Sequence, residues 1–215
     1  MRLTAELVGK STSFMNALGD WELDLRSNRI PATENLAVTR DQYDTIDLTD
    51  NDLRRVENLP TLKRLHTLLL SRNRIESFQE DIAVKLPAVE TIVLSGNEGI
   101  KSASQLTPLS RCKSLRYLAL LDCPLSRASN YRLQIIALLP QLTVLDYQKV
   151  KQVERQAADR LKKRIPLDEL SLEEPPLKKL RPEDISKIQE AIRNASSLDE
   201  IQQLERILAT GHVPN

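Results

Sequence analysis

Histidine, cysteine and glycine are scarce in this 215-residue chain, and each shortage excludes a class of chemistry. Its two histidines, His66 and His212, lie far apart in sequence, so neither a metal cluster nor a histidine-based catalytic dyad is evident. The five glycines form no glycine-rich phosphate loop. Cys112 and Cys123 do not make a disulfide framework, which fits a reducing compartment. We therefore expect no enzyme, no bound metal and no cofactor.

Long apolar runs are also missing. No segment approaches the roughly 18 apolar residues of a membrane-spanning helix, and the N-terminal sequence MRLTAELVGKSTSFMN lacks the continuous apolar core of a signal peptide. The sequence thus predicts a soluble protein that is not exported and has no membrane partner. Because 31 basic residues nearly balance 30 acidic ones, only local charge clusters can indicate a partner.

The sequence does contain a recurring leucine pattern. Five segments share it: ELDLRSNRI (22–30), TIDLTDNDL (45–53), TLLLSRNRI (67–75), TIVLSGNEGI (91–100) and YLALLDCPL (117–125). Successive copies are offset by 23, 22, 24 and 26 residues, measured between their second leucines. This spacing is typical of short leucine-rich repeats, which stack into a solenoid because one coil alone cannot enclose a core.

The residue types within a copy predict its conformation. Alternate residues of a short strand face opposite sides, so the leucines point inward and their neighbours line the concave side. Asparagine follows the strand in four copies, where its amide can satisfy backbone groups at the bend, and Cys123 takes that place in the fifth. Apolar residues at every third position of 53–65 predict a 3₁₀-like or irregular convex side. The expected fold class is an α/β solenoid with a parallel concave sheet.

Both ends of the solenoid need a cap. Residues 3–18 predict an N-terminal capping helix with Thr4 as N-cap and Phe14, Met15 and Leu18 on its apolar face. Residues 130–150 predict a C-terminal cap, in which a helix ends before Pro140 and a last strand covers 142–147.

Four regions follow from this pattern. The capped solenoid covers 1–150, a basic helical extension 151–164, a proline-containing linker 165–182 and an amphipathic helical hairpin 183–211. The hairpin is too small to be stable alone, so it packs either on another protein or on its own solenoid. The basic sequences KKR (162–164) and KKLR (178–181) match the weakly specific pattern of a two-part nuclear import signal.

The concave side carries the first candidate site. An apolar strip (Leu69, Val93, Ala119, Leu121) adjoins an acidic cluster (Glu22, Asp24, Asp47), a combination that suits an amphipathic helix with basic residues at one end. The predicted partner-binding residues are Glu22, Asp24, Asp47, Thr67, Leu69, Thr91, Val93, Tyr117, Ala119 and Leu121. The alternative is that these are ordinary isolated apolar residues on a protein surface.

Basic residues form the second candidate site. Arg26, Arg29, Lys149, Lys151 and Arg155 could bind phosphates. A charged helix is also commonly no more than a soluble one, so both interpretations stand on the residues alone.

Particular segments carry a family resemblance beyond the leucines. LTAEL (3–7), ENLA (34–37), DQYDTIDLTDN (41–51), YRLQIIALLPQLTVLDYQKVK (131–151) and AIRNASSLDEIQQLERIL (191–208) resemble the A-prime family of the U2 small nuclear ribonucleoprotein. The resemblance extends over nearly the whole chain. SRASN (126–130) departs from it, because relatives often carry several basic residues in this loop and here only Arg127 is basic.

The resemblance implies a nuclear, non-enzymatic spliceosomal scaffold. Its concave face would hold a helix of an RNA-recognition-motif protein of the B-double-prime type, and the pair would bind a stem-loop of U2 small nuclear RNA. The partner would read the bases, since this chain has few aromatics for stacking, and the C-terminal hairpin could bind other spliceosomal proteins. Two alternatives remain: a leucine-rich regulatory subunit of a phosphatase or cytoskeletal complex, and an RNA-binding protein that acts alone.

Overall fold

The computed structural model describes residues 2–164, so the predicted linker (165–182) and helical hairpin (183–211) lie outside the described residues. The strands are β1 (Ser13–Met15), β2 (Trp21–Asp24), β3 (Thr45–Asp47), β4 (Arg55–Val56), β5 (Thr67–Leu69), β6 (Ser77–Phe78), β7 (Thr91–Val93), β8 (Tyr117–Ala119), β9 (Val144–Leu145) and β10 (Gln148–Lys149). The α-helices are α1 (Ala5–Lys10), α2 (Ile82–Lys85), α3 (Tyr131–Leu138) and α4 (Gln152–Arg164). Three 3₁₀ helices cover Leu36–Thr39, Ala103–Arg111 and Pro124–Arg127.

One eight-stranded sheet forms the concave side, in the order β1-β2-β3-β5-β7-β8-β9-β10. The six strands from β2 to β9 are mutually parallel, and the outermost strands β1 and β10 are antiparallel to their neighbours. Each parallel pairing requires the chain to cross over and return, and the returning segments form the convex side. The predicted leucine-rich solenoid is therefore confirmed.

The convex side is built from short and tight elements. The apolar residues at every third position of 53–65 are buried, and the returning segments contain 3₁₀ helices, the four-residue helix α2 and the two-stranded pair β4–β6. The prediction of a 3₁₀-like or irregular convex side is confirmed. Such narrow elements let successive coils stack closely.

The N-terminal cap differs from the prediction of one helix over 3–18. Helix α1 is only six residues long, although Thr4 Oγ1 does accept the predicted bond from Leu7 N at 3.1 Å. The chain then forms the antiparallel pair β1–β2, because Asn16 Oδ1 accepts from the amides of Leu18 and Asp20 and so builds a turn. The predicted apolar helix face is wrong for Met15 and Leu18, which are 62% and 85% exposed.

The C-terminal cap has the predicted helix but a shorter last strand. Helix α3 ends before Pro140 as expected, whereas the strand predicted over 142–147 is reduced to β9. Asp146 and Tyr147 both have positive φ (51° and 61°) and turn the chain back into β10. A two-residue turn of this kind requires positive φ at both central residues, and Asp-Tyr is not a pair that signals it.

Buried asparagines join consecutive coils. Asn51 Oδ1 accepts from the amides of Asn28 (3.1 Å) and Ile30 (2.9 Å), and its Nδ2 donates to the carbonyls of Leu25 (3.0 Å) and Leu48 (2.9 Å). Asn73 and Asn97 repeat the arrangement in the next two coils. In the fifth coil the Cys123 thiol donates to the Leu94 carbonyl at 3.3 Å. The predicted role of these side chains at the bend is confirmed.

Candidate partner-binding and RNA-binding surfaces

The strand register places the predicted partner-binding residues in rows across the concave face. The first row contains Glu22, Thr45, Thr67, Thr91, Tyr117 and Val144. The second row contains Asp24, Asp47, Leu69, Val93 and Ala119. Backbone bonds continue the ladder into a third row of Arg26, Thr49, Ser71, Ser95 and Leu121. The structure thus gathers all ten residues on one face of one sheet.

An acidic cluster occupies the first two coils of this face. Asp24 receives Arg26 Nε at 3.0 Å and a second guanidinium nitrogen at 2.6 Å, and Asp47 Oδ2 lies 3.5 Å from Arg26 Nε. The Arg26 hydrogen bond holds the pKa of Asp24 below its usual range. Glu22 accepts one bond, from Asn16 Nδ2 at 3.0 Å. Two of the three carboxylates, Asp24 and Asp47, therefore pair with the same cation, Arg26.

The apolar strip in the middle coils differs in part from the prediction. Leu69 and Val93 are half-buried, and Leu121 is 42% exposed, so these three can meet a partner. Ala119 is only 4% exposed, because its methyl group is too short to reach above its neighbours. Asp47 and Glu22 are also buried, at 5% and 9% exposed. The expectation that Ala119, Asp47 and Glu22 are open to water is wrong.

The predicted RNA-binding residues fall into two separate groups. Arg26 and Arg29 follow the carboxyl end of β2, while Lys149 lies on β10 beside Val144, at the amino end of β9. With about 4.8 Å between neighbouring strands, the six steps from β2 to β10 separate the groups by about 29 Å. The structure therefore does not bring these five residues into one site.

Arg26 and Arg155 contact other groups of the protein. Arg26 is held by the carboxylates of the acidic cluster. Arg155 donates to the carbonyls of Pro140 (2.6 Å) and Leu142 (2.5 Å), which follow α3. Each guanidinium already has protein partners, and phosphate binding by Arg26 and Arg155 stays a prediction. Lys149 and Lys151 are exposed and remain candidates.

Sequence reasoning missed two residues near these lysines. Tyr147, at the tip of the β9–β10 turn, is an aromatic side chain that is 71% exposed. Arg132 of α3 donates to Glu154 Oε1 at 2.6 Å and to the Leu145 carbonyl at 2.8 Å, and so fastens α4 to the cap. A positively charged residue on a helix is usually solvated, so the sequence offered no signal for Arg132. The first turns of α4 are thus part of the solenoid end.

Neither a metal-binding cluster nor a membrane-spanning helix is found in the part of the chain that the structure describes. No group of three or more histidine, cysteine, aspartate or glutamate residues within 2–164 could hold a metal ion. Over the same residues, no helix combines the length and the apolar character needed to cross a bilayer.

Known proteins are similar to this chain over almost its entire sequence. A family model described as "Leucine-rich repeat" matches residues 1–170. A probable U2 small nuclear ribonucleoprotein A′ of Caenorhabditis elegans is 40% identical, with 100% of this chain and 92% of the relative covered. The human U2 small nuclear ribonucleoprotein A′ is 38% identical, with 100% and 90% covered. Both relatives are matched over nearly their full length.

A solved structure supports the same relationship. The crystal structure of the Drosophila melanogaster SNF/U2A′ complex matches with a TM-score of 0.73 and 44% identity, covering 77% of this chain and 94% of that chain. The similarity therefore extends from the sequence to the arrangement of the coils.

Proposed function

The chain belongs to the U2 small nuclear ribonucleoprotein A′ family of leucine-rich repeat proteins, and from this premise we propose that it binds an RNA-recognition-motif protein through its concave face. Together the two proteins would bind a stem-loop of U2 small nuclear RNA during splicing. We further propose that this takes place in the nucleus, where spliceosomal particles act. A structure of a family member in complex with a second protein, SNF, supports the first step.

One observation carries the proposal: the concave face changes from acidic to apolar along the solenoid. Glu22, Asp24 and Asp47 occupy its first two coils, and Leu69 and Val93 follow in the next two. An apolar strip bounded by charge of one sign fits an amphipathic helix whose basic end lies over the first coils.

The dimensions of the face support a helix as the bound element. Six parallel strands at about 4.8 Å spacing extend over about 24 Å, which equals about 16 residues of α-helix at 1.5 Å per residue. Three residues of the apolar strip remain accessible on the concave face: Leu69, Val93 and Leu121. Their side chains would provide the central apolar contact, which is where binding energy usually concentrates.

RNA would be bound mainly by the complex. Lys149 and Lys151 lie at the C-terminal end of the same sheet and would contact phosphates flanking the partner's own RNA surface. Base recognition would rest on the partner, because aromatic residues make up only 3% of this chain. The purified chain alone should bind the stem-loop weakly and in a salt-sensitive manner.

The test combines Leu69→Glu and Val93→Glu in one variant. Binding to the RNA-recognition-motif partner, measured by isothermal titration calorimetry, should weaken at least 100-fold, since two buried carboxylates at an apolar interface cost roughly 3 kcal/mol or more. Val84→Glu is the matched control, because Val84 lies on the convex side and is exposed. Unchanged partner binding by a folded double variant would refute the concave-face proposal.

A second measurement separates this function from the alternative of a regulatory solenoid. The full chain is used to isolate its partners from nuclear extract, and the bound RNA is sequenced. We expect U2 small nuclear RNA together with an RNA-recognition-motif protein. Recovery of a phosphatase or of tubulin without U2 RNA would overturn the proposed function.

A further inference from the structure

The two edges of the eight-stranded sheet end in different ways. At the C-terminal edge, the carbonyls of Gln148 and Lys149 on β10 accept from Arg132 at 3.3 and 3.4 Å, and α4 follows directly. At the N-terminal edge, β1 is the last strand and, among residues 2–164, pairs only with β2. The first edge is thus engaged by a side chain and the second is a bare strand.

The pairing of β1 shows which of its backbone groups remain free. The Thr12 carbonyl accepts from Asp24 N, and Asn16 N donates to the Asp20 carbonyl, both at 2.9 Å. In an antiparallel ladder, alternate residues bond toward the same neighbour, so Thr12, Phe14 and Asn16 face β2. Ser13 and Met15 therefore direct their N–H and C=O groups outward, and no group among residues 2–164 pairs with them there.

The side chains at this edge do not protect β1 from pairing with another strand. Edge strands are usually blunted by lysine, proline or a covering element, whereas residues 12–15 read TSFM. Phe14, Met15 and Leu18 are exposed around the strand and its turn. Free backbone groups flanked by apolar side chains are the features that an added strand recognises, since its main chain supplies the bonds and its alternate side chains supply the packing.

We propose that the free edge of β1 binds an extended, basic segment of another protein as an additional strand. The charge of this end favours a basic segment: residues 2–52 contain ten acidic and five basic side chains. A basic segment would therefore be attracted to this end of the solenoid.

A second copy of this chain fits the edge less well. Stable dimers bury on the order of 1,200 Å² or more in total, and a three-residue strand supplies only a small part of that area. A short peptide needs no such area, because only one folded protein surface takes part in the contact. This inference uses a different surface from the concave groove and does not depend on the proposed function.

The test uses the full chain and the fluorescently labelled peptide KVTVTVK as the probe, with binding measured by anisotropy. Met15→Pro removes an outward N–H from an edge position, where proline is tolerated. Met15→Leu is the matched control, because it keeps both the N–H and an apolar side chain. We expect Met15→Pro to weaken binding about tenfold and Met15→Leu to change it less than about twofold. The acidic peptide EVTVTVE should bind at least about tenfold more weakly than KVTVTVK.

Backbone-methylated peptides keep the test decisive if Met15→Pro disturbs the fold. Methylation of the peptide nitrogens on one alternating set should abolish binding to the unaltered protein, while methylation of the other set should not. Equal effects of both sets, absence of KVTVTVK binding, or equal binding of EVTVTVE would overturn the proposal. A concentration-dependent dimer that Met15→Pro abolishes would also overturn it, in favour of a second copy.

Discussion

Arg64 forms a two-pronged ion pair with Asp44, with Nε 2.6 Å from Oδ1 and a terminal guanidinium nitrogen 2.9 Å from Oδ2. Asp44 is buried, and its Oδ2 also accepts from Trp21 N at 2.9 Å. One carboxylate therefore joins the first three coils at the amino ends of their strands. This link stabilises the acidic end of the concave face, because it fixes β2 beside β3.

Asp44→Asn should lower stability and flatten its dependence on pH. The Arg64 hydrogen bond lowers the pKa of Asp44 to about 2, below its usual value near 3.8. A carboxyl group with a lowered pKa stabilises the fold above its unfolded pKa, and this contribution is lost as pH falls from about 4 to about 2. We expect a loss of about 1–2 kcal/mol at pH 7, since Arg64 is half-exposed and partly screened by solvent.

Urea unfolding at pH 7, 4 and 2 measures this effect. The variant and the unaltered protein should differ most at pH 7 and converge at pH 2. Asp50→Asn is the control, because Asp50 is exposed and its carboxylate accepts only from the Ser27 hydroxyl. A difference that grows toward low pH would contradict the assigned role of Asp44.

The asparagines of the repeat should differ widely in their contribution to stability. Asn73 is buried, accepts from Leu53 N and donates to the carbonyls of Leu48 and Leu70. Asn73→Ala leaves these backbone groups unpaired in the core, so we expect a loss of about 2–4 kcal/mol. The Asn28 side chain donates to the exposed Arg26 carbonyl, and Asn28→Ala should cost below about 1 kcal/mol because the backbone amide of residue 28 is kept. Equal losses in chemical denaturation would show that the side-chain bonds are not the cause.

These asparagines also show what could be inferred before the structure. The strands, the inward leucines and the bend asparagines follow from a local pattern that repeats, so each copy supports the interpretation of the others. The caps do not repeat, and there the predictions are wrong in part. The turn built by Asn16 and the positive φ of Asp146 and Tyr147 depend on local backbone chemistry that apolar periodicity does not reveal.

The candidate site was predictable to a similar extent. Alternation within a strand correctly gathered ten residues on one face. It could not reveal that Ala119 is covered, since burial depends on the length of neighbouring side chains. Nor could a list of cations reveal that Arg26 and Arg155 have protein partners. Charge in a sequence identifies candidates, and only the fold shows which of them are engaged.

Gly99 should be intolerant of any side chain. A Cβ atom built there would lie 2.3 Å from the Ile75 carbonyl oxygen and 2.8 Å from that of Arg74. Backbone cannot move aside as a flexible side chain can, so Gly99→Ala should destabilise the protein by about 1–3 kcal/mol. The reason is the close approach of two stacked coils.

Gly9→Ala provides the matched comparison for Gly99→Ala. Gly9 lies within α1, and apart from its chain neighbours and the backbone of its own helix, no atom lies within 4 Å of a Cβ built there. Alanine favours a helix over glycine by up to about 1 kcal/mol, so this variant should raise the thermal midpoint while Gly99→Ala lowers it. Changes of the same sign in differential scanning calorimetry would contradict the packing argument.

The basic residues near the C-terminal cap should separate into two classes of effect. Lys149→Gln and Lys151→Gln remove exposed charges and should reduce the RNA affinity of the complex with its partner. The slope of log affinity against log salt should fall by about 1 for each phosphate that a lysine no longer neutralises. Arg155→Gln should instead reduce stability, because Arg155 donates to the carbonyls of Pro140 and Leu142.

Filter binding at several salt concentrations, together with urea unfolding, distinguishes these two classes of basic residue. Lys149→Gln should change the salt slope at unchanged stability, and Arg155→Gln should change stability at an unchanged salt slope. A salt slope that Arg155→Gln lowers as much as Lys149→Gln does, at unchanged stability, would show that Arg155 binds phosphate and that its hydrogen bonds to the Pro140 and Leu142 carbonyls are secondary.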